Sequence, residues 1–485
     1  MAHPLPTQNL QDKPASCWQI KKSNISGRGI FATQPIQRGT LIFRNRPLMV
    51  GPRGDHARKK FCSICYVIKD TCYSCEKCGI FVCSATCETS QQHTKECDFV
   101  VQNWKIKPGC EKQPTDLTRA LVFIRSLLLD HEEIHLLSSF QKNQAVGPVD
   151  EVDALCANYD IPEEQIKLMK SVDSITKLNA FRIAHGEVES KVPLRGLYYL
   201  SGLLNHSCIP NTRNAFDKNN NMAVYATRDI EIGEEILTCY TGLLWCTPAR
   251  RCQLQKTKKF WCKCERCSDP TEMGTRLSAL KCLNKECVGV LLPTSPLDPA
   301  SDWRCDNCSA AVAAAQVSVV QSVLGSLVGT LDLDDQFRLE TLVLERLSHF
   351  IPYSNHIFVD LRLRLGLKLG FTEKLKLQEL TESRLALKES LCRGTLRTAA
   401  ALGVGDAHLR GLLLYHLHAA LAERARRSPE LYEELKAEIE STIEQAFHIL
   451  QGDISAPPDL ELRHRYLGPG CDKPHEERFF ILADV

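Results

Sequence analysis

The chain has 485 residues, 44% of them hydrophobic and 24% charged, with a formal net charge of +2. That length corresponds to about three domains of roughly 150 residues, and the composition excludes a wholly disordered or collagen-like chain. The near-neutral charge argues against a strongly basic nucleic-acid binder or an acidic tail protein.

The N-terminus, MAHPLPTQNLQDKPASCW, is polar and lacks the apolar core of a signal peptide. The most apolar stretch, Val312 to Leu331, is broken by Gln316, Ser318, Gln321, Ser322 and Ser326, so no membrane span is expected. The chain reads as soluble and intracellular. Its anomaly is 24 cysteines, and where the cell is reducing clustered cysteines read as metal ligands before they read as disulfides.

The first motif in chain order is Ser26-Gly27-Arg28-Gly29-Ile30-Phe31-Ala32, followed by Ile36-Gln37-Arg38-Gly39. Four ligand pairs then follow: Cys62-x2-Cys65, Cys75-x2-Cys78, Cys83-x3-Cys87 and His93-x3-Cys97. Zinc takes four tetrahedral thiolate or imidazole ligands, and a short spacer lets one turn present two of them. Eight ligands suffice for two ions. Interleaved pairing puts Cys62, Cys65, Cys83 and Cys87 on one and Cys75, Cys78, His93 and Cys97 on the other, with Cys72 a spare. So short a stretch cannot bury a core, so the metals are expected to hold it folded.

Further on come Lys177-Leu178-Asn179-Ala180-Phe181, then Asn205-His206-Ser207-Cys208-Ile209-Pro210-Asn211, then Ile232-Gly233-Glu234-Glu235-Ile236-Leu237-Thr238-Cys239-Tyr240. The last leads into Cys262-x-Cys264-x2-Cys267, a trio one ligand short of a closed site. Between Trp245 and Pro270, Arg250, Arg251, Lys256, Lys258, Lys259, Lys263 and Arg266 outnumber Glu265 and Asp269. This excess reads first as a solvated face, and otherwise as a surface offsetting thiolate charge or steering an acidic partner. Cys282-x4-Cys287 with Cys305-x2-Cys308 has the two-pair pattern of a zinc ribbon. With four filled sites, fifteen thiolates and four divalent ions move the net charge from +2 to about −5.

From about Ala311 the chain is rich in leucine and alanine and reads as helix. Ser428 is placed to cap a helix with Pro429 in its first turn, and Leu431, Leu435, Ile439, Ile443, Phe447 and Leu450 recur at helical spacing. Leu339, Leu342, Leu347 and Phe350 do likewise. Leu361 to Leu369 alternate as in a strand, yet Ile357, Leu361, Leu365 and Leu369 also form a helical stripe, and the helical neighbours favour helix. No clean 34-residue repeat is visible.

These motifs, in this order, resemble the SET-and-MYND-domain (SMYD) family of protein lysine methyltransferases, and the ribbon-like segment points to its arthropod-type (SmydA) branch. The resemblance implies an α+β fold. A β-rich SET domain (14–60 and 196–243) is split by a MYND zinc finger (62–97) and an insert (110–195). A post-SET zinc segment (244–270), a ribbon (278–310), an all-α tetratricopeptide-like domain (311–452) and a tail (453–485) follow. The helical domain is expected to wall the substrate cleft and offer a partner surface.

By the same resemblance, Cys208 completes the zinc site of Cys262, Cys264 and Cys267. Tyr240 is the catalytic tyrosine, Phe260 lines the lysine channel, and Arg28, Gly29, Asn179, Asn205 and His206 contact S-adenosylmethionine. A phenylalanine in the channel, lacking a hydroxyl, is expected to leave room for repeated methylation. The implied reaction is methyl transfer to a lysine of a histone or another protein, with a role in transcription, in nucleus and cytoplasm. Corepressor or chaperone partners would use the MYND or helical part; neither a membrane nor nucleic acid is the expected main target.

Between Cys87 and His93 the chain departs from the family, having Glu88-Thr89-Ser90-Gln91-Gln92 where a longer spacer with a tryptophan is usual. Zinc binding survives this change, whereas peptide grooves depend on aromatic walls. The competing expectation is a zinc-rich adaptor or corepressor with an idle SET fold. A RING-like ubiquitin ligase is disfavoured by the SET pattern around the zinc pairs.

Overall fold

The computed structural model describes residues 16–53, 59–142, 147–183, 191–329, 340, 347, 351–372, 375–471 and 473–480. The expected helical residues Leu339, Leu342 and Phe350 lie outside the described residues. None of the described helices is long and apolar enough to cross a membrane.

Small sheets from distant parts of the chain form the central body. In the first, strands Trp18–Lys22 and Arg28–Ala32 pair antiparallel around the turn at Gly27, which adopts φ +50. Strand Glu235–Thr238 lies beside Arg28–Ala32, and the short strand Asn205–His206 runs parallel to it, with Asn205 opposite Leu237. A second sheet holds Met49–Pro52, Leu194–Leu197 and Phe181–Ile183, and a third Thr212–Phe216, Met222–Ala226 and Leu41–Asn45. Their apolar faces share one core containing Ile30, Ile42, Leu194, Tyr198, Val224 and Ile236.

The eight-ligand segment carries one hairpin, Tyr73–Ser74 with Phe81–Val82, and the helices Ala85–Glu88 and Gln91–Asn103. Ser84 and Ser90 cap these helices through Cys87 N and His93 N, which sets where each ligand starts its turn. Arg125, in helix Leu121–Ser126, clamps the segment to the central body. Its guanidinium meets Glu96 at 2.6 Å and donates to Ser63 O, Tyr66 Oη and Val50 O.

Residues 280–312 form a four-stranded antiparallel sheet in chain order, Leu280–Lys281, Val290–Pro293, Trp303–Cys305 and Ala311–Val312. Helix therefore begins at Ala314 and not at Ala311, which closes the ribbon instead. Helices His356–Lys368, Glu382–Ala401, His408–Arg427 and Tyr432–Leu450 follow, packed each on the next. Asn355 caps the first by accepting from Ile357 N, and the period-four set Leu361, Leu365 and Leu369 is wholly buried. Burial, not the alternating leucines, decides helix here. At Ser428 the structure departs from expectation: the serine makes no side-chain cap, and Pro429–Leu431 is a separate 3-10 turn before the helix at Tyr432.

Candidate active site and metal centres

Four clusters of cysteine and histidine gather, each with ligand atoms within 4.8 Å of one another: Cys62, Cys65, Cys83, Cys87; Cys75, Cys78, His93, Cys97; Cys208, Cys262, Cys264, Cys267; and Cys282, Cys287, Cys305, Cys308. All 24 cysteines are free thiols. Sulfur–sulfur distances of 3.5 Å (Cys65–Cys83), 4.0 Å (Cys75–Cys97), 3.6 Å (Cys208–Cys267) and 3.7 Å (Cys287–Cys305) match the edge of a zinc-thiolate tetrahedron, about 3.8 Å for 2.3 Å bonds. The donor chemistry therefore fits zinc at all four. Cys72, the spare, belongs to none.

The surroundings fit as well. Backbone amides donate to Cys78, Cys262, Cys287 and Cys305, and the Asn307 side chain donates to Cys287. That last bond, first among several, brings the Cys287 thiol down to about 6. His93 Nδ1 lies 2.7 Å from Glu88 O, which fixes the proton there and leaves Nε2, 3.6 Å from Cys78 Sγ, for the metal.

The Cys208 site is enclosed by charge. Arg250 and Arg266 are both 0% exposed. Arg250 donates to Cys208 Sγ at 3.1 Å and Cys267 Sγ at 3.4 Å, and pairs with the buried Glu272 at 2.7 Å. Arg266 reaches Glu272, Leu243 O and Trp245 O. Burial alone would raise the Glu272 carboxyl, but Arg250 and Arg266 hold it below the ordinary glutamate range. Four thiolates with one zinc carry −2, and two guanidiniums with one carboxylate bring the cluster to about −1. The basic stretch is thus not a solvated face at Arg250, Arg251 and Arg266, all of which are buried. It offsets thiolate charge, and does so from inside the fold.

His206 joins this metal site to Tyr240. The Tyr240 amide donates to His206 Nδ1 at 3.1 Å, so the ring proton sits on Nε2, which points at Cys208 Sγ at 3.2 Å. The Tyr240 hydroxyl donates to Leu204 O at 2.5 Å. Burial raises the Tyr240 hydroxyl well above the usual phenol range, with the Glu235 charge adding to the effect.

The Asn205 amide group donates to Ser26 O, Arg28 O and Glu235 Oε1, pinning the Gly27 loop to the strand. Gly29 is buried where an added Cβ would meet the Glu235 carboxylate, so a larger residue there would have to displace that side chain from Asn205. Arg28 is exposed and reaches Ser139 O at 3.3 Å. Arg28, Gly29, Asn205, His206 and Tyr240 thus converge from three distant segments.

A cleft of about 1050 Å³ opens beside Tyr240 and is also lined by Asn179, Phe181, Arg195, Asn214, Cys239 and Lys258. Asn179 donates to Gln141 O and Ile175 O at the end of helix Glu163–Asn179. The buried Asn214 Oδ1 has no hydrogen-bond partner among the described residues. An unpaired buried acceptor at the edge of a cleft suits a ligand donor group. Arg28, Gly29, Asn205 and His206 are not part of this lining.

Phe260 is not among the residues lining this cleft; its ring lies 6.0 Å from His206, in the cluster that holds Tyr240 and the Cys208-site thiols. The lining position belongs to Lys258. The lining of this cleft comes from residues 53–258, and none of the C-terminal helices contributes to it. They dock elsewhere on the SET body, through the Arg38–Asp406 ion pair, Asp406 N to Thr227 O and Ile454 N to Phe216 O. Lys258, Glu272 and Asn214 were not legible as site residues, because only folding places them there.

The comparisons agree with this architecture. A SET-domain family model matches residues 27–241. The SET domain-containing protein SmydA-8, isoform B, of Drosophila melanogaster is 32% identical over 409 residues, covering 82% of this chain and 89% of its own length. The histone-lysine N-methyltransferase SMYD3 of Homo sapiens is 28% identical over 267 residues, half of this chain and 59% of its own. The N-lysine methyltransferase SMYD2 of Homo sapiens is 26% identical over 283 residues, half of this chain and 58% of its own. The SET domain of LSMT bound to lysine and AdoHcy covers 99% of this chain and 94% of that one at 12% identity, but its TM-score of 0.26 is too low to bear on the fold. With its SET-domain match, interleaved metal sites and relatives in agreement, the chain belongs to the SET-and-MYND-domain family of lysine methyltransferases, in the arthropod SmydA branch.

Proposed function

We propose that this protein is an active protein lysine N-methyltransferase that uses S-adenosylmethionine. It acts on histone or other proteins in the nucleus and cytoplasm, with an influence on transcription. The observation that carries this reading is Tyr240, held at its amide by His206 and at its hydroxyl by Leu204 O, on the wall of a cleft of about 1050 Å³. The relatives named as lysine methyltransferases support it.

S-adenosylmethionine supplies a methyl group on a cationic sulfonium, and an in-line displacement needs alignment and a neutral amine more than covalent help. A free lysine, with a pKa near 10.4, is almost wholly charged at neutral pH, so the site must strip water from it. Tyr240 stays protonated, so it orients and does not act as a base. Its proton is committed to Leu204 O, which leaves the oxygen lone pairs for the reacting groups. Asn214 Oδ1 offers an acceptor on the cleft wall, and Asn205 keeps the Gly27 loop in place.

Calorimetric titration with S-adenosylmethionine, together with labelled methyl transfer to a lysine peptide panel, tests the proposal. Tyr240→Phe is expected to bind cofactor as the wild type does and to lose transfer roughly a hundredfold or more. Cofactor binding without Tyr240-dependent transfer would favour the idle adaptor.

A further inference from the structure

Lys258 is the last residue of helix Thr247–Lys258, and it stands inside the cleft. Its ammonium lies 5.3 Å over the ring of Tyr240 and donates to Leu178 O in the last turn of helix Glu163–Asn179. The side chain therefore ties helix Thr247–Lys258 to the end of helix Glu163–Asn179 beside Tyr240, in the lining of the cleft. Lys259, the next residue, sits in the left-handed region at φ 63 and ψ 29, a conformation a lysine rarely adopts. That turn ends the helix with Lys258 lining the cleft, while Phe260, one residue further, packs with the Cys208-site thiols.

An aromatic face and a free carbonyl are what an incoming lysine amine would use to settle beside Tyr240. Both are already taken by an amine of the same chemistry, carried by the chain itself. Burial pulls the Lys258 amine down to about 8, the sign of a group held out of water. A second ammonium entering this space would meet a like charge under weak screening.

We infer that Lys258 is a built-in competitor for the acceptor-amine position, so that a substrate lysine is methylated only after displacing it from Tyr240 and Leu178. The inference rests on the methyltransferase reading and names what limits access to that same site. It makes Lys258 a determinant of specificity: substrates must bring enough binding energy from their flanking residues to expel it.

The test compares the full-length protein with Lys258→Met, which keeps the apolar stem and removes the charge, and with Lys258→Arg, which keeps the charge. The probe is a peptide library with randomised flanks around one fixed lysine, given methyl-labelled S-adenosylmethionine. Thermal unfolding and cofactor titration serve as controls on each variant, and Lys258→Gln replaces Lys258→Met should the latter not fold.

The expected result is at least a tenfold gain in incorporation for the neutral variant, carried mainly by a lower peptide KM, with cofactor affinity within twofold and no gain for Lys258→Arg. Tyr240-dependent incorporation by the wild type that the neutral variant leaves equal or lower overturns the inference and leaves the methyltransferase reading standing. Cofactor binding with no incorporation by either protein defeats the methyltransferase reading in favour of the idle adaptor, and the inference falls with it. Loss of both cofactor binding and incorporation in both proteins defeats the methyltransferase reading, and the inference falls with it.

Discussion

Arg250 Nε lies 3.1 Å from Cys208 Sγ while the same guanidinium pairs with Glu272 at 2.7 Å, so one fully buried arginine serves a metal thiolate and a carboxylate together. Arg250→Met leaves Glu272 buried with only Arg266, at 3.4 Å, to balance it. The expected cost is about 3 kcal/mol of stability. Zinc affinity at the Cys208 site should fall about tenfold or more, as for other outer partners of metal ligands. Chelator competition and thermal unfolding measure both; a second change, Glu272→Gln, should restore part of the stability. Unchanged zinc retention would show that Arg250 does not support the site.

The ribbon cluster is the most open of the four, with Cys308 exposed. Metal analysis of the full chain is expected to give four zinc ions. Cys305→Ser with Cys308→Ser should reduce this to three and leave S-adenosylmethionine binding unchanged, since the ribbon residues do not line the cleft. A count of three in the unmodified protein would remove the fourth site.

Arg125 ties three parts of the chain through Glu96, Ser63 O and Val50 O. Arg125→Met leaves the Glu96 carboxylate, 0% exposed, without its cation, and a cost of about 3–5 kcal/mol is expected. Limited proteolysis should then cut between the zinc finger and the SET body. Wild-type resistance in the variant would mean that the metal sites alone hold the segment in place.

Lys388 is wholly buried, with Nζ donating to Gly366 O at 2.6 Å, Leu369 O at 2.9 Å and His416 Nδ1 at 3.1 Å. Burial lowers its amine from 10.5 to about 8. Between those values the unfolded chain holds a proton that the folded chain has released, so this group makes stability rise with pH in that window. Below about pH 8 the folded protein carries the charged form and its full burial penalty. The stability advantage of the wild type over Lys388→Met should therefore grow from pH 8 to 10 in urea unfolding. A constant difference would contradict the shift.

The ligand sets were legible because zinc constrains spacing as well as residue type: Cys62-x2-Cys65 and Cys83-x3-Cys87 each fit one turn, and two turns make a tetrahedron. The helix at Leu361 was legible only through its neighbours, because a period of two and a period of four share the same leucines.

The sequence by itself determined the family and the paired metal ligands, since metal chemistry acts over a few residues at a time, whereas Cys208 as fourth ligand and the meeting of the Gly27 loop, the Asn205 strand and Tyr240 were implied only by the family resemblance. Only the tertiary structure decided that Arg250 and Arg266 are buried counter-charges, that Phe260 packs with Tyr240 and the Cys208-site thiols, and that Lys258 reaches Leu178 O beside Tyr240. Whether a basic side chain faces water, a thiolate or an aromatic ring depends on which remote segment folds against it, and that information is not carried by its neighbours in the chain.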